Sequence, residues 1–323
     1  MDKLPSLGRG INEVLVPTFA AYEDLLRAKE AEIRSVRRET HTYGPNPRHV
    51  LDVYFPDDDV AAAAAAPRRT VLVFLHGGGF YAGARVNEAY AGGLIFGNIG
   101  RFFTAAKSGS VTVVVPDYRL LAHGARYPSG GEDVALVADW VRTALAGRDG
   151  YGGGIDLVLL GNSAGGVHVA TFLLDAAFEA ARNALLASGA EGEGGARLRG
   201  AVFLGTPFHF GDAHDEAIRA YLGEQTVMEN SPIGRLRAAL ERGAAASQLP
   251  VVKVLIMVSE LDPQFLLDTA EEFKETWKGA DVEIQVLQGH NHISPQLGLG
   301  TGIEREEAWG VQLAEFLRAC ASS

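Results

Sequence analysis

Six short apolar runs, rich in Val, Leu and Ile, recur along this chain at residues 70–75, 111–116, 155–160, 198–204, 251–258 and 282–287. Their hydrophobicity is continuous rather than alternating. That is the pattern of strands covered on both faces, as in a parallel sheet. Stretches of helical spacing separate them at residues 88–106, 131–146, 165–188 and 265–278, and a last one follows at 304–320. Strand and helix in alternation predict a doubly wound α/β sheet, with right-handed crossovers placing helices on both faces.

The first quarter of the chain departs from this rhythm. Apolar residues at helical spacing among Glu, Lys and Arg predict an amphipathic helix over 13–36. Two β-prone runs, 39–43 and 49–55, flank Gly44-Pro45-Asn46-Pro47 and predict a strand pair joined by a turn. Residues 57–69, with a run of alanines, read as a surface loop, as does the Ala/Gly/Glu stretch 187–195. One connection, 205–249, is far longer than a compact sheet needs. It holds helix-like pieces at 215–222 and 233–246 and is the expected lid. The pattern gives one domain over 1–323, capped by about 1–36 and 206–249.

Composition narrows the classes of partner. The 323 residues carry a net charge of −11, which argues against nucleic acid or an anionic membrane surface. No apolar stretch reaches the length of a membrane span, and residues 1–12 lack the apolar run of a signal peptide. With a single cysteine, Cys320, no intrachain disulfide can form, which fits a reducing compartment. A cytoplasmic protein without stable membrane anchoring is expected. Nothing in the chain decides between a monomer and a homodimer.

Gly161-Asn162-Ser163-Ala164-Gly165 follows directly on the apolar run 155–160 and precedes a helical stretch. This G-x-S-x-G pattern stands in the strand–turn–helix context that such a motif requires. A strand turning sharply into a helix strains the serine backbone, and residues two away have no room for side chains. The turn pushes the Ser163 hydroxyl out over the sheet edge, at a helix N-terminus that favours developing negative charge. Composition alone produces about 0.2 such matches by chance, so placement after a buried strand is what gives the motif weight.

His76-Gly77-Gly78-Gly79-Phe80 follows the run 70–75. A tetrahedral intermediate carries an oxyanion, and glycines let main-chain N–H groups approach it closely. Gly77, Gly78 and Gly79 are therefore the expected oxyanion loop, with the N–H of Ala164 as a further donor. A serine nucleophile also needs a base, and the base needs a carboxylate. The run 251–258 ends in Ser259-Glu260-Leu261-Asp262-Pro263, and the run 282–287 ends in Gln288-Gly289-His290-Asn291-His292. Two acids and two histidines thus compete on the same sheet edge as Ser163. Asp262 is preferred because it lies further past the strand beside a proline. His292 is preferred because it stands at a loop-to-helix transition. Glu260 and His290 are the alternatives. The other histidines show no metal-ligand spacing, so no metal is expected.

With these residues in place, the chain resembles the hormone-sensitive-lipase-like branch of α/β-hydrolase carboxylesterases. The resemblance covers about residues 48–318. It rests on the His76–Phe80 block, Asp117-Tyr118-Arg119-Leu120, and Tyr127-Pro128 followed by Glu132-Asp133-Val134. Gly161-Asn162-Ser163-Ala164-Gly165-Gly166, Asp262-Pro263 and His292 complete it. It implies a mostly parallel, eight-stranded sheet with a helical cap, and hydrolysis of a small-molecule ester through an acyl-enzyme without a cofactor. Ser163 would be nucleophile, His292 general base and acid, and Asp262 its partner. Three features differ from that branch. Asn162 stands where an acid is usual, Leu121-Ala122-His123-Gly124 replaces Ala-Pro-Glu, and His290-Asn291-His292-Ile293-Ser294 is closer to kynurenine-formamidase-like relatives.

The leading expectation is therefore a serine carboxylesterase for short or medium acyl esters. An aryl-formamide hydrolase and a lactonase use the same machinery and stand as alternatives. A catalytically inactive hydrolase fold acting as a small-molecule receptor is the alternative from another class.

Overall fold

The computed structural model describes residues 2–57, 68–187, 195–211, 215–242, 252–277 and 281–322. Helix α1 (Ile11–Arg27) and the short α2 (Glu30–Arg34) lead into an antiparallel pair, β1 (Arg38–Thr42) and β2 (Val50–Tyr54). Strand β3 (Arg69–Leu75) is followed by α3 (Gly97–Thr104) and β4 (Thr112–Pro116). Helix α4 (Ser129–Trp140), β5 (Ile155–Asn162), α5 (Ala164–Leu174), α6 (Glu179–Ala187) and β6 (Ala196–Leu204) come next. Then follow α7 (Glu216–Leu222), α8 (Val227–Asn230), α9 (Pro232–Arg242), β7 (Lys253–Ser259) and α10 (Gln264–Thr276). Strand β8 (Val282–Leu287), α11 (Ser294–Gly298) and α12 (Glu304–Ala321) close the chain.

The eight strands form one sheet in the order β1-β2-β4-β3-β5-β6-β7-β8. Strand β2 is antiparallel to both β1 and β4, and the remaining neighbours are parallel. Apart from the edge strand β1, each strand feeds two cores. Along β3, Val71, Val73 and Leu75 pack on one face with α4, α5, α9 and α10, while Leu72 and Phe74 pack on the other with α1, α3 and α12. Side chains alternate across a strand, so two covered faces explain the unbroken apolar runs. Each such Val, Leu or Phe contributes roughly 1.5–3 kcal/mol by leaving water.

Several predicted helices break where local chemistry overrides their periodicity. The stretch 88–106 becomes α3 alone, because Gly92 and Gly93 adopt positive φ and Phe96 turns the chain before the helix starts. The stretch 165–188 divides at Asp175, whose carboxylate accepts the Ala177 N–H and starts a new turn. The N-terminal helix ends at Arg27 rather than running through to residue 36. The loop-to-helix transition expected after His292 is present, as the short helix α11 of five residues. The alanine-rich loop, most of the 187–195 stretch and the end of the 205–249 connection lie outside the described residues.

Candidate active site

Four parallel strands end on one edge of the sheet, and their continuations meet there. This is where open α/β sheets place their ligands. Ser163 follows β5 with φ of 51° and ψ of −119°, left-handed for a residue that is not glycine. The bend leaves no room beside it. A Cβ on Gly161 would lie 2.4 Å from the Gly165 carbonyl oxygen, and one on Gly165 would lie 2.5 Å from that of Leu75. The strand therefore turns into α5 only with glycines flanking the serine, and Ser163 projects from the turn.

The hydroxyl of Ser163 lies 3.1 Å from Nε2 of His292 and donates to it. On the other side of the ring, Nδ1–H donates to Oδ1 of Asp262 at 2.8 Å. The second carboxylate oxygen accepts the Ser259 N–H at 2.7 Å, so the acid is fixed at the end of β7. Asp262 is fully buried and His292 nearly so. The carboxylate thus fixes the tautomer that leaves Nε2 facing the hydroxyl.

The alternatives are elsewhere. Glu260 is exposed and accepts the Gly289 N–H at 2.7 Å, tying the end of β7 to that of β8. His290 is buried and hydrogen-bonded to the Ser294 hydroxyl at 2.8 Å. Burial lowers its pKa to about 4, so the ring is neutral near pH 7.

The glycine loop faces the same hydroxyl. A Cβ on Gly77 would sit 3.2 Å from that of Ser163, so the main chain passes directly over the serine. Gly78 and Gly79 have φ of 137° and 60°, and a Cβ on Gly78 would meet the Ala82 carbonyl oxygen at 2.0 Å. Among the described residues, the N–H groups of Gly78, Gly79 and Ala164 make no hydrogen bond. Unpaired main-chain donors near a nucleophile are free to bind an oxyanion. His76 holds the loop from beneath: its Nδ1–H donates to the Gly77 carbonyl at 2.7 Å, and its ring stacks on Tyr118. Burial keeps that imidazole neutral, with a pKa lowered to about 4.

The cleft above Ser163 has a volume of about 480 Å³, within the range of small-molecule sites. Ile11, Leu15 and Phe19 of α1 form one wall, and Phe210 and Ile218 stand in another. Of the aromatic residues near the predicted lid, Phe80, Tyr81 and Phe210 line the cleft. Phe208 and Tyr221 do not: Phe208 stacks on Phe273 in the core, and Tyr221 stacks behind Phe80 at 4.4 Å. None of the described lining residues is Lys or Arg. Among the described residues, no group of three or more His, Cys, Asp or Glu could hold a metal ion. No described helix is long and apolar enough to cross a membrane. Burial pushes the Cys320 thiol up to about 12, so it is no nucleophile at neutral pH.

One contributor escaped the sequence reading. Gly205 directly follows β6 with φ of 55°, and a Cβ there would lie 3.1 Å from the His292 ring. Only a residue without a side chain lets the imidazole rest against that strand end. Its signal was a glycine directly after a buried run, which is weak in a chain so rich in glycine.

Comparison with known proteins agrees with this architecture. A search of curated protein sequences finds no match. Among solved structures, an inhibited esterase B from Lactobacillus rhamnosis is similar, with a TM-score of 0.59, 14% identity, and 95% of this chain and 96% of that one covered. The hyperthermophilic esterase of Pyrobaculum calidifontis gives 0.56 at 21% identity, covering 95% and 94%. A thermostable carboxylesterase cloned from a metagenomic library gives 0.58 at 18% identity, covering 94% and 96%. A family model described as the alpha/beta hydrolase fold matches residues 72–295. That match takes in well over half of the sequence, and the chain belongs to the α/β-hydrolase-fold family.

Proposed function

We propose that this α/β hydrolase is a carboxylesterase that cleaves small, uncharged esters through an acyl-enzyme on Ser163. The observation that carries the reading is the chain Ser163–His292–Asp262 lying beneath unpaired main-chain amides. Ser163 Oγ attacks the ester carbonyl while its proton passes to His292 Nε2. Asp262 stabilises the imidazolium, and the amides of Gly78, Gly79 and Ala164 receive the oxyanion, with Gly77 shaping the loop. Collapse of the tetrahedral intermediate expels the alcohol, which takes the proton from His292. Water then repeats the sequence on the acyl-enzyme and releases the acid.

The apolar cleft supports an ester rather than an amino-acid formamide. A free amino acid brings a carboxylate, and the described walls offer no cation to pair with it. An inert receptor has no use for an aligned base and unpaired donors. Helix α1 and the described residues of the 206–249 connection act as the cap in this reading, since Ile11, Leu15 and Phe19 and Pro207, Phe210 and Ile218 contribute to the cleft walls. The solved esterases of the same fold add to its support.

The test is turnover of p-nitrophenyl acetate and butyrate beside N-formylkynurenine, with Ser163→Ala as control. The esters should turn over faster than the formamide. The variant should fall at least about a thousandfold while keeping its fold. Equal activity in the variant rejects the assignment.

A further inference from the structure

Helix α1 buries one stripe: Val14, Thr18, Tyr22 and Leu26, four residues apart. Two members of this stripe are polar, and both are buried. A buried hydroxyl needs a partner. Tyr22 donates to Glu306 of α12 at 2.5 Å. Thr18 finds its partner in the loop that carries His292: the Asn291 side-chain amide donates to Thr18 Oγ1 at 2.8 Å, across 273 residues of sequence.

The rest of Asn291 is equally committed. Its Oδ1 accepts the N–H groups of Ile293 and Ser294 at 3.1 and 3.0 Å. The Ser294 hydroxyl in return accepts the Asn291 N–H at 3.0 Å. This reciprocal pattern has the form of a capping box and closes the turn that leads into α11, with His292 enclosed between its two ends. A carboxamide has two donors and an oxygen. The oxygen fixes the main chain after His292, and one N–H ties the box to α1. Asn291 and Thr18 are both fully buried, so water does not compete for this bond.

We propose that Thr18 is a positioning residue for the catalytic base, anchoring the Asn291 box and so aiming the His292 imidazole at Ser163. The proposal rests on the hydrolase reading above. The same helix lines the cleft with Ile11, Leu15 and Phe19 on its neighbouring face. One element therefore both walls the substrate and braces the base.

Thr18→Val keeps the shape and removes the hydroxyl, and Thr18→Ser keeps the hydroxyl. For p-nitrophenyl butyrate, Thr18→Val should lower kcat five- to twentyfold with KM within twofold. Labelling of Ser163 by a fluorophosphonate should slow by the same factor. Thr18→Ser should restore both rates to within twofold. Thr18→Ala carries the same expectation where valine packs badly. Leu26→Ala, which loosens α1 two turns beyond Thr18 by removing a buried apolar side chain, should lower Tm and leave kcat within twofold. A folded Thr18→Val protein with wild-type kcat and only a lower Tm overturns the proposal, and so does a loss that Thr18→Ser fails to restore. Wild-type protein that neither cleaves esters nor takes the label overturns the hydrolase reading itself, which distinguishes the two failures.

Discussion

The loop after β3 reaches Ser163 with main chain alone, whereas the loop after β8 reaches it with a side chain. Gly78 and Gly79 form the first through positive φ angles and Gly77 through close backbone approach, steadied by the His76 ring from within the same loop. The second is a lattice of side-chain hydrogen bonds. Asp262 arrives from β7, Thr18 from α1, and Asn291 and Ser294 bind each other around His292. A donor cradle must only be narrow and rigid, which glycine geometry supplies locally. A base must point along one line, and that takes constraints from several elements.

The comparison makes graded predictions. The largest loss should come from removing the base: His292→Ala lowers kcat by about a thousandfold to a millionfold, read from initial rates with p-nitrophenyl butyrate. Asp262→Asn should follow at about ten-thousandfold, since the amide favours the wrong tautomer, while Glu260→Gln stays within twofold. If Glu260→Gln is the damaging change, the acid has been misassigned.

On the glycine side, Gly78→Ala must shift main chain, because its Cβ meets the Ala82 oxygen at 2.0 Å. The expected loss is on the order of a hundred- to a thousandfold in kcat. A wild-type rate in that variant places the oxyanion donors elsewhere.

The smallest effect concerns stability. Burial lowers the pKa values of His76, His168 and His290 to about 4, 3 and 4. The unfolded chain takes up these protons near pH 6.5, and the folded chain does not until well below pH 5. Stability is therefore lost as pH falls from about 6.5, by up to roughly 1.4 kcal/mol per pH unit for each histidine. Urea unfolding between pH 7 and pH 5 checks this. His290→Asn should flatten the slope while keeping turnover within tenfold, and an unchanged slope removes His290 from the account.

The same contrast explains what could be read from the sequence. Strands buried on both faces announce themselves by unbroken runs of Val, Leu and Ile, so the doubly wound sheet was legible. The sharp turn at Ser163 and the glycine loop facing it were legible as local geometry because their constraints fall on glycines. For the acid and base, Asp262 is preferred over Glu260 and His292 over His290 on placement past the strand ends alone. Both members of each pair follow the same strand end, and spacing cannot tell which one faces Ser163. The contacts that separate them, such as Thr18 with Asn291, span the whole chain. Helix α3 shows the limit from the other direction. Its predicted start lay far upstream, and the positive φ of Gly92 and Gly93 leaves only Gly97–Thr104 helical.

The most direct test is mass spectrometry of the protein after treatment with a fluorophosphonate, with adducts mapped to peptides. The account predicts one adduct, on the peptide carrying Ser163, absent in Ser163→Ala and slowed in His292→Ala. A folded protein that stays unlabelled, or is labelled on another residue, contradicts it.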